Sequence, residues 1–137
     1  MSETMIDDTP VERLTVEECW ALLGQEQFGR LAFRLVDEVH LVPINYLVDE
    51  GTLLFRTAPG AKLLAAELES DVAFEIDWRD DHSAWSVVAR GHMRRLDESE
   101  EDRVDQLPLR SWLDTPKYDV VQLVPTSVTG RRFVLTR

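Results

Sequence analysis

The feature that most constrains this chain is a succession of short runs rich in Val, Leu, Ile and Phe, separated by polar turns. Phe28–Val36 and Val39–Val48 are two such runs, with Asp37-Glu38 placed to turn the chain between them. Asp49-Glu50-Gly51 is a stronger turn signal and leads into a third run, Thr52–Thr57. Together they predict a three-strand meander, because β-branched and aromatic residues between Gly and Asp turns suit a pleated, half-buried strand. Val72–Trp78, Ala84–Leu96, Tyr118–Val124 and Arg132–Leu135 continue the series, and Gly91 inside the long fifth run marks a bulge. Strands do not alternate with helices as a parallel sheet requires, and no Gly-rich dinucleotide fingerprint is present. The pattern predicts a closed or split antiparallel barrel.

Helical signals are few. Thr15-Val16-Glu17-Glu18 has capping-box spacing and predicts a helix over Val16–Leu23 stopped by Gly24. Ala61–Glu69 places Leu63, Leu64 and Leu68 on one face and Glu67 and Glu69 on the other. The acidic stretch Asp97–Gln106 reads as a short surface helix with a solvated face. Pro108, Pro116 and Pro125 punctuate the C-terminal part of the chain.

A chain of 137 residues with 44% hydrophobic residues suits one domain with a real core. The acidic, polar start is read as a flexible tail over residues 1–12, followed by a single domain over 13–137. It lacks the basic start and apolar run of a signal peptide, and no run approaches the ~18 apolar residues of a membrane span. The expectation is a cytoplasmic protein without a membrane partner. The net charge of −11 argues against a nucleic-acid partner, since neutralising phosphates needs a basic face. Cys19 is the only cysteine, which excludes an intrachain disulfide and a CxxC centre, and it reads as a small buried residue. His40, His82 and His92 share no metal-ligand spacing, and Asp77, Asp80 and Asp81 lack a calcium-loop spacing, so no metal is expected.

The stretch Phe55-Arg56-Thr57-Ala58-Pro59-Gly60-Ala61-Lys62-Leu63 concentrates chemistry. A strand stops at Pro-Gly and a helix starts, so a hydroxyl, a guanidinium, an ammonium and helix-start N–H groups meet at one turn, the donor set a phosphate needs. The competing reading makes Arg56 and Lys62 ordinary solvated charges beside a common turn. No Ser-His-Asp or Cys-His arrangement supports nucleophilic catalysis.

In order along the chain, Gly29-Arg30-Leu31-Ala32-Phe33, Val42-Pro43-Ile44-Asn45-Tyr46, Phe55-Arg56-Thr57 with Lys62-Leu63, Trp85-Ser86-Val87-Val88 and Arg90-Gly91 resemble the pyridoxamine 5′-phosphate oxidase-like flavin-binding split-barrel family. Its small actinobacterial and nitroimidazole-resistance members are the nearest in pattern, and the resemblance spans roughly Leu14 to Phe133. It implies a mainly β fold, a six-stranded antiparallel split barrel, and a homodimer holding flavin mononucleotide (FMN) at its interface. The resemblance puts Pro43, Ile44 and Asn45 against the flavin ring, Arg56, Thr57 and Lys62 with Leu63 on the phosphate side, and Trp85 and Ser86 where a partner subunit contributes. Trp85 is otherwise a core or interface anchor. Arg131 and Arg132 are either a surface pair or a contact to the flavin edge.

Two departures matter. The oxidase proper has further arginines and a C-terminal Arg-His pair, whereas this chain has Trp85 before Ser86 and ends Gly130-Arg131-Arg132-Phe133 without the histidine. That speaks against vitamin B6 oxidation. The leading expectation is an FMN-dependent oxidoreductase acting on a small organic acceptor. The alternatives are a reductase of the same fold using the 8-hydroxy-5-deazaflavin coenzyme, whose polyglutamate tail suits a more basic groove, and a non-catalytic flavin-binding or structural module.

Overall fold

The computed structural model describes residues 11–57, 71–104, 106–107 and 119–135. Among the described residues eight strands form one antiparallel sheet: β1 (Val11–Arg13), β2 (Phe28–Leu35), β3 (Glu38–Asn45), β4 (Leu47–Asp49), β5 (Thr52–Thr57), β6 (Asp71–Arg79), β7 (Ser83–Arg95) and β8 (Asp119–Val134). Two helices accompany them there, α1 (Val16–Gln25) and α2 (Glu98–Val104). The hydrogen-bonded order is β3-β2-β6-β7-β8-β5-β4, with β1 also on β8. β3 and β5, far apart along that path, come back into contact, so the sheet curls into a split barrel.

Alternation sets the inside of the barrel. Leu31 and Phe33 of β2, Ile44 of β3, Phe74 and Ile76 of β6, Val87 and Ala89 of β7 and Val121 and Leu123 of β8 are buried in one core. Phe74 joins its aromatics, edge-on to Tyr46 at 4.8 Å and tilted against Phe55 at 5.3 Å. α1 adds Cys19 and Leu23, each 0% exposed, and packs against β4, β7 and β8. Its start is the expected capping box: Thr15 Oγ1 accepts from the Glu18 N–H at 3.1 Å, and Glu18 Oε1 accepts from the Thr15 N–H at 2.8 Å.

Several expectations are corrected. The run Val39–Val48 is two strands: β3 pairs with β2 up to Asn45, and from Leu47 the chain pairs with β5 instead. Its halves, β3 and β4, sit at opposite ends of the sheet, so Phe28–Thr57 is two hairpins and not a meander. The first turn is Val36-Asp37, one residue earlier than expected, with Leu35 opposite Glu38. α1 runs through Gly24 to Gln25, since Gly24 has no positive φ with which to stop it. The two last strand candidates are one strand, β8. Pro125 is tolerated within β8 because it falls at the bulge, between the stretches paired with β5 and β1, where that side of the strand has no ladder to need its N–H.

The Gly91 bulge is present: Arg90 faces Ser127 while Gly91 faces Pro125, leaving Thr126 as the extra residue. A Cβ on Gly91 would stand 2.0 Å from the Val124 carbonyl oxygen, so only glycine fits. Ordered structure begins at least at Val11, inside the segment read as a tail, through β1 and the Glu12–Arg132 pair at 2.9 Å. α2 is more than a solvated face. Its Val104 is 0% exposed and closes a second small core with Leu54, Leu96 and Val120 on the outward side of β5 and β8.

Candidate functional site

Register places the candidate residues on definite faces. Pro43 stands opposite Arg30, and Asn45 opposite Phe28. Cross-strand partners share a face, so Pro43 and Asn45 project outward, while Ile44 is only 8% exposed and belongs to the core. Ile44 therefore presents no side chain on the outward face, and its backbone groups face Gly29 of β2. β3 ends the strand path, and its outer edge has no strand partner among the described residues. Alternate N–H and C=O groups there are unpaired by any ladder.

Asn45 carries an anomaly. Its Nδ2 donates to the Gln27 carbonyl at 3.3 Å, but its Oδ1 is shielded from solvent and has no hydrogen-bond partner among the described residues. Such an acceptor typically costs about 1–3 kcal/mol unless something donates to it. Asn45 borders a cavity of about 540 Å³ with Leu23, Gly24, Glu26, Gln27, Tyr46, Leu47 and Val48. One wall is pinned by the Tyr46 hydroxyl, which donates to the Leu23 carbonyl. Burial pushes the Tyr46 pKa up, keeping it a neutral donor.

Arg56 sits near the end of β5, opposite Val120, with Thr57 opposite Asp119. Arg56 is half-buried, at the edge of the small core beneath α2, and is engaged in interactions there. Lys62, Leu63 and the helix expected over Ala61–Glu69 lie outside the described residues, as does the Thr57 side chain.

Trp85 and Ser86 project to opposite faces of β7. Trp85 faces Trp78 and Arg132 across the sheet and packs against the barrel core. Ser86 faces the other way, between Asp77 and Arg131, on the same outward side as Pro43. Three strand spacings, about 14 Å, separate β3 from β7 across β2 and β6, so Pro43 and Ser86 of one chain do not form one contact point. Of the two C-terminal arginines, Arg131 shares the outward face with Ser86, while Arg132 is held by Glu12.

Sequence reading missed a charged cluster on this outward face. Arg30 Nη1 lies 2.9 Å from Glu75 Oε1 and 3.2 Å from Asp77 Oδ2. Burial first, then the Asp77 hydrogen bond and charge, raise the Glu75 pKa to about 7, against the pull of Arg30. The signal for the carboxylate pair was their spacing of two on a strand, but bringing Arg30 between them required knowing that β2 pairs with β6. His40 stacks flat on Phe33, its cross-strand partner, at 5.0 Å. Among the described residues no cluster of His, Cys, Asp and Glu could hold a metal, and no helix is long and apolar enough to cross a membrane.

Comparison with known proteins bears on the family and the fold. The family model for pyridoxamine 5′-phosphate oxidase matches residues 15–132. A Corynebacterium glutamicum structure, provisionally named as a pyridoxamine 5′-phosphate oxidase, is 39% identical with a TM-score of 0.83, covering 92% of this chain and 100% of its own. The FAD-binding protein of Mycobacterium smegmatis is 38% identical with a TM-score of 0.75, covering 90% of this chain and 98% of its own. A Mycobacterium tuberculosis protein of uncharacterized function is 31% identical over 131 residues, 90% of this chain and 86% of its own length. A match through nearly the whole barrel, from the α1 cap to the last strand, makes this chain a member of the pyridoxamine 5′-phosphate oxidase family with its split-barrel fold.

Proposed function

We propose that this protein is a flavin-dependent oxidoreductase that binds the FMN moiety, alone or as half of FAD, and acts on a small organic acceptor. The observation that carries the reading is β3, an unpaired strand edge at the barrel seam bearing an outward Pro43 and the Asn45 Oδ1 that has no partner among the described residues. These residues fit a flavin. The ring is flat and amphipathic and its edge bears an imide N–H, the donor Asn45 lacks. Pro43 supplies an apolar surface, and the free β3 edge supplies backbone groups. The similarity to the Mycobacterium smegmatis FAD-binding protein supports the same reading.

When bound, the flavin would supply hydride and electron transfer. The chain's own residues bind and orient. Arg56 and Thr57, with Lys62 beyond them, would hold the phosphate through charge-assisted bonds. The β3 edge would hold the ring. Pro43 and Ser86 are too far apart for one chain to use both on one ring, so a second copy would complete the site through its own β7 in a homodimer. The chain has no histidine after Arg131-Arg132, where the oxidase proper carries its Arg-His pair, which favours an acceptor other than a B6 vitamer.

The test is a flavin titration. Flavin released from the purified protein is identified by mass, and FMN, FAD and riboflavin are then titrated against wild type, Arg56→Ala and Lys62→Ala. Each substitution is expected to weaken FMN by about one to two decades, the worth of one charge-assisted contact, and riboflavin far less. Protein that carries no flavin and binds none overturns the proposal. Equal losses for FMN and riboflavin would remove the phosphate role from this turn.

A further inference from the structure

A second concavity lies on the outward face, away from Asn45. It has a volume of about 460 Å³, a floor of Ala32, Ala73 and Gly91, and a rim of Arg34, Arg90 and His92. Ala32 faces Ala73, and Ala73 faces Arg90, so the small residues form one row across neighbouring strands and leave a flat shelf. Val39, opposite Arg34, adds an apolar wall that is 63% exposed.

The rim is cationic in a chain whose net charge is −11. Arg30, Arg94, Arg103 and Arg132 all have carboxylate partners. Neither the Arg34 nor the Arg90 guanidinium has a partner among the described residues. Among those residues the only carboxylate lining the groove is Asp71, and it is engaged by His92 Nδ1 at 2.9 Å. Two strand spacings and two residues separate Arg34 from Arg90, about 12 Å between Cα atoms. An arginine side chain reaches about 6 Å, so both guanidiniums can converge on one anion above the shelf.

We infer that this groove is a binding site for a small molecule with one anionic group, a phosphate or carboxylate, and a flat apolar body. The anion lies between Arg34 and Arg90, and the body rests on Ala32 and Ala73 against Val39. The site is separate from the turn at Arg56. His92 stands opposite Val124 and Arg56 opposite Val120 on β8, and two strand spacings with four residues between them give roughly 16 Å. One phosphate cannot serve both. The inference does not depend on flavin binding, and each can fail without the other.

Phenyl phosphate and inorganic phosphate are the probes, titrated calorimetrically into the full-length protein at matched ionic strength. Phenyl phosphate is expected to bind with a dissociation constant of about 0.1–1 mM and several-fold more tightly than inorganic phosphate, because only it uses the shelf. Arg34→Gln and Arg90→Gln should each weaken it about tenfold or more. The two variants should keep the wild-type melting temperature, which reports that the barrel is intact. Ala73→Glu should abolish phenyl phosphate binding by placing a carboxylate on the shelf. No binding at matched ionic strength, or affinity unchanged in both arginine variants, overturns the inference. So does an Arg34→Gln/Arg90→Gln double variant that alters only self-association, since the arginines would then serve a second copy of the chain.

Discussion

At the scale of single residues, Glu75 shows how the sheet alters chemistry that local sequence leaves ordinary. Its carboxyl stands on the outward side of β6 with Asp77 on the same strand and Arg30 on the next. Partial burial and the neighbouring carboxylate raise its pKa from 4.5 to about 7. The native state therefore binds a proton that the unfolded chain has already released between those values. Over that window the unfolded state binds fewer protons, so stability falls as pH rises from about 4.5 to about 7 and levels off above. Glu75→Gln should flatten that fall while leaving the fold intact, as read by urea unfolding at pH 5 and pH 8. A variant that keeps the wild-type slope would assign the effect to another group. Cys19 was legible because burial follows from the apolar pattern around it. The Arg30–Glu75–Asp77 cluster and the Tyr46–Leu23 bond were not, since each joins residues from separate elements.

At the scale of elements, the turns carry the sharpest contrasts. Glu50 and Gly51 have φ of 48° and 78°, the pair of left-handed residues that a two-residue hairpin needs, and the sequence announced it through Gly51. Val36 has φ of 58° at an 80% exposed turn position, where a β-branched residue is strained and nothing local announces the turn. This is why Asp37-Glu38 was read as the turn instead. Val36→Asn should stabilise the protein by about 1 kcal/mol, since asparagine tolerates that region and no core contact is lost. An unchanged or lowered denaturation midpoint would contradict it. Gly91→Ala should do the reverse. With the Val124 carbonyl 2.0 Å from the added carbon, β7 and β8 must separate, at a cost of about 2 kcal/mol or more in thermal unfolding. Retention of wild-type stability would show that the bulge can shift at little cost.

At the scale of the whole molecule, the barrel's inner side was legible as alternating apolar residues, but the order of strands was not. Hairpins join neighbours in sequence, whereas the β2–β6 and β5–β8 pairings bring together distant segments that no local pattern specifies. Outside the Arg34–Arg90 groove, the outward side of β2 and β3 leaves Phe28 and Leu41 exposed by 42% and 67%. Large apolar side chains left exposed on one face mark an interaction surface. We expect a two-fold dimer built on this face, observed as twice the chain mass in light scattering at micromolar concentration. Leu41→Glu should shift it to monomer without unfolding the barrel, and a wild-type monomer would remove the need for a partner subunit at the flavin site.

The pairing of β1 with β8 has a kinetic meaning. Glu12 and Arg132 are 120 residues apart in the chain, yet they pair directly. The hairpins β2–β3 and β6–β7 close loops of a few residues, whereas docking β1 closes nearly the whole chain. Contacts of such separation give little return until most of the structure exists, so this strand should add last, after the rate-limiting step. Deleting residues 1–13 should then speed unfolding and leave refolding nearly unchanged in a stopped-flow denaturant series. On that order of events β1 acts as a latch: it sets how long the barrel stays folded, and has little influence on how quickly it forms.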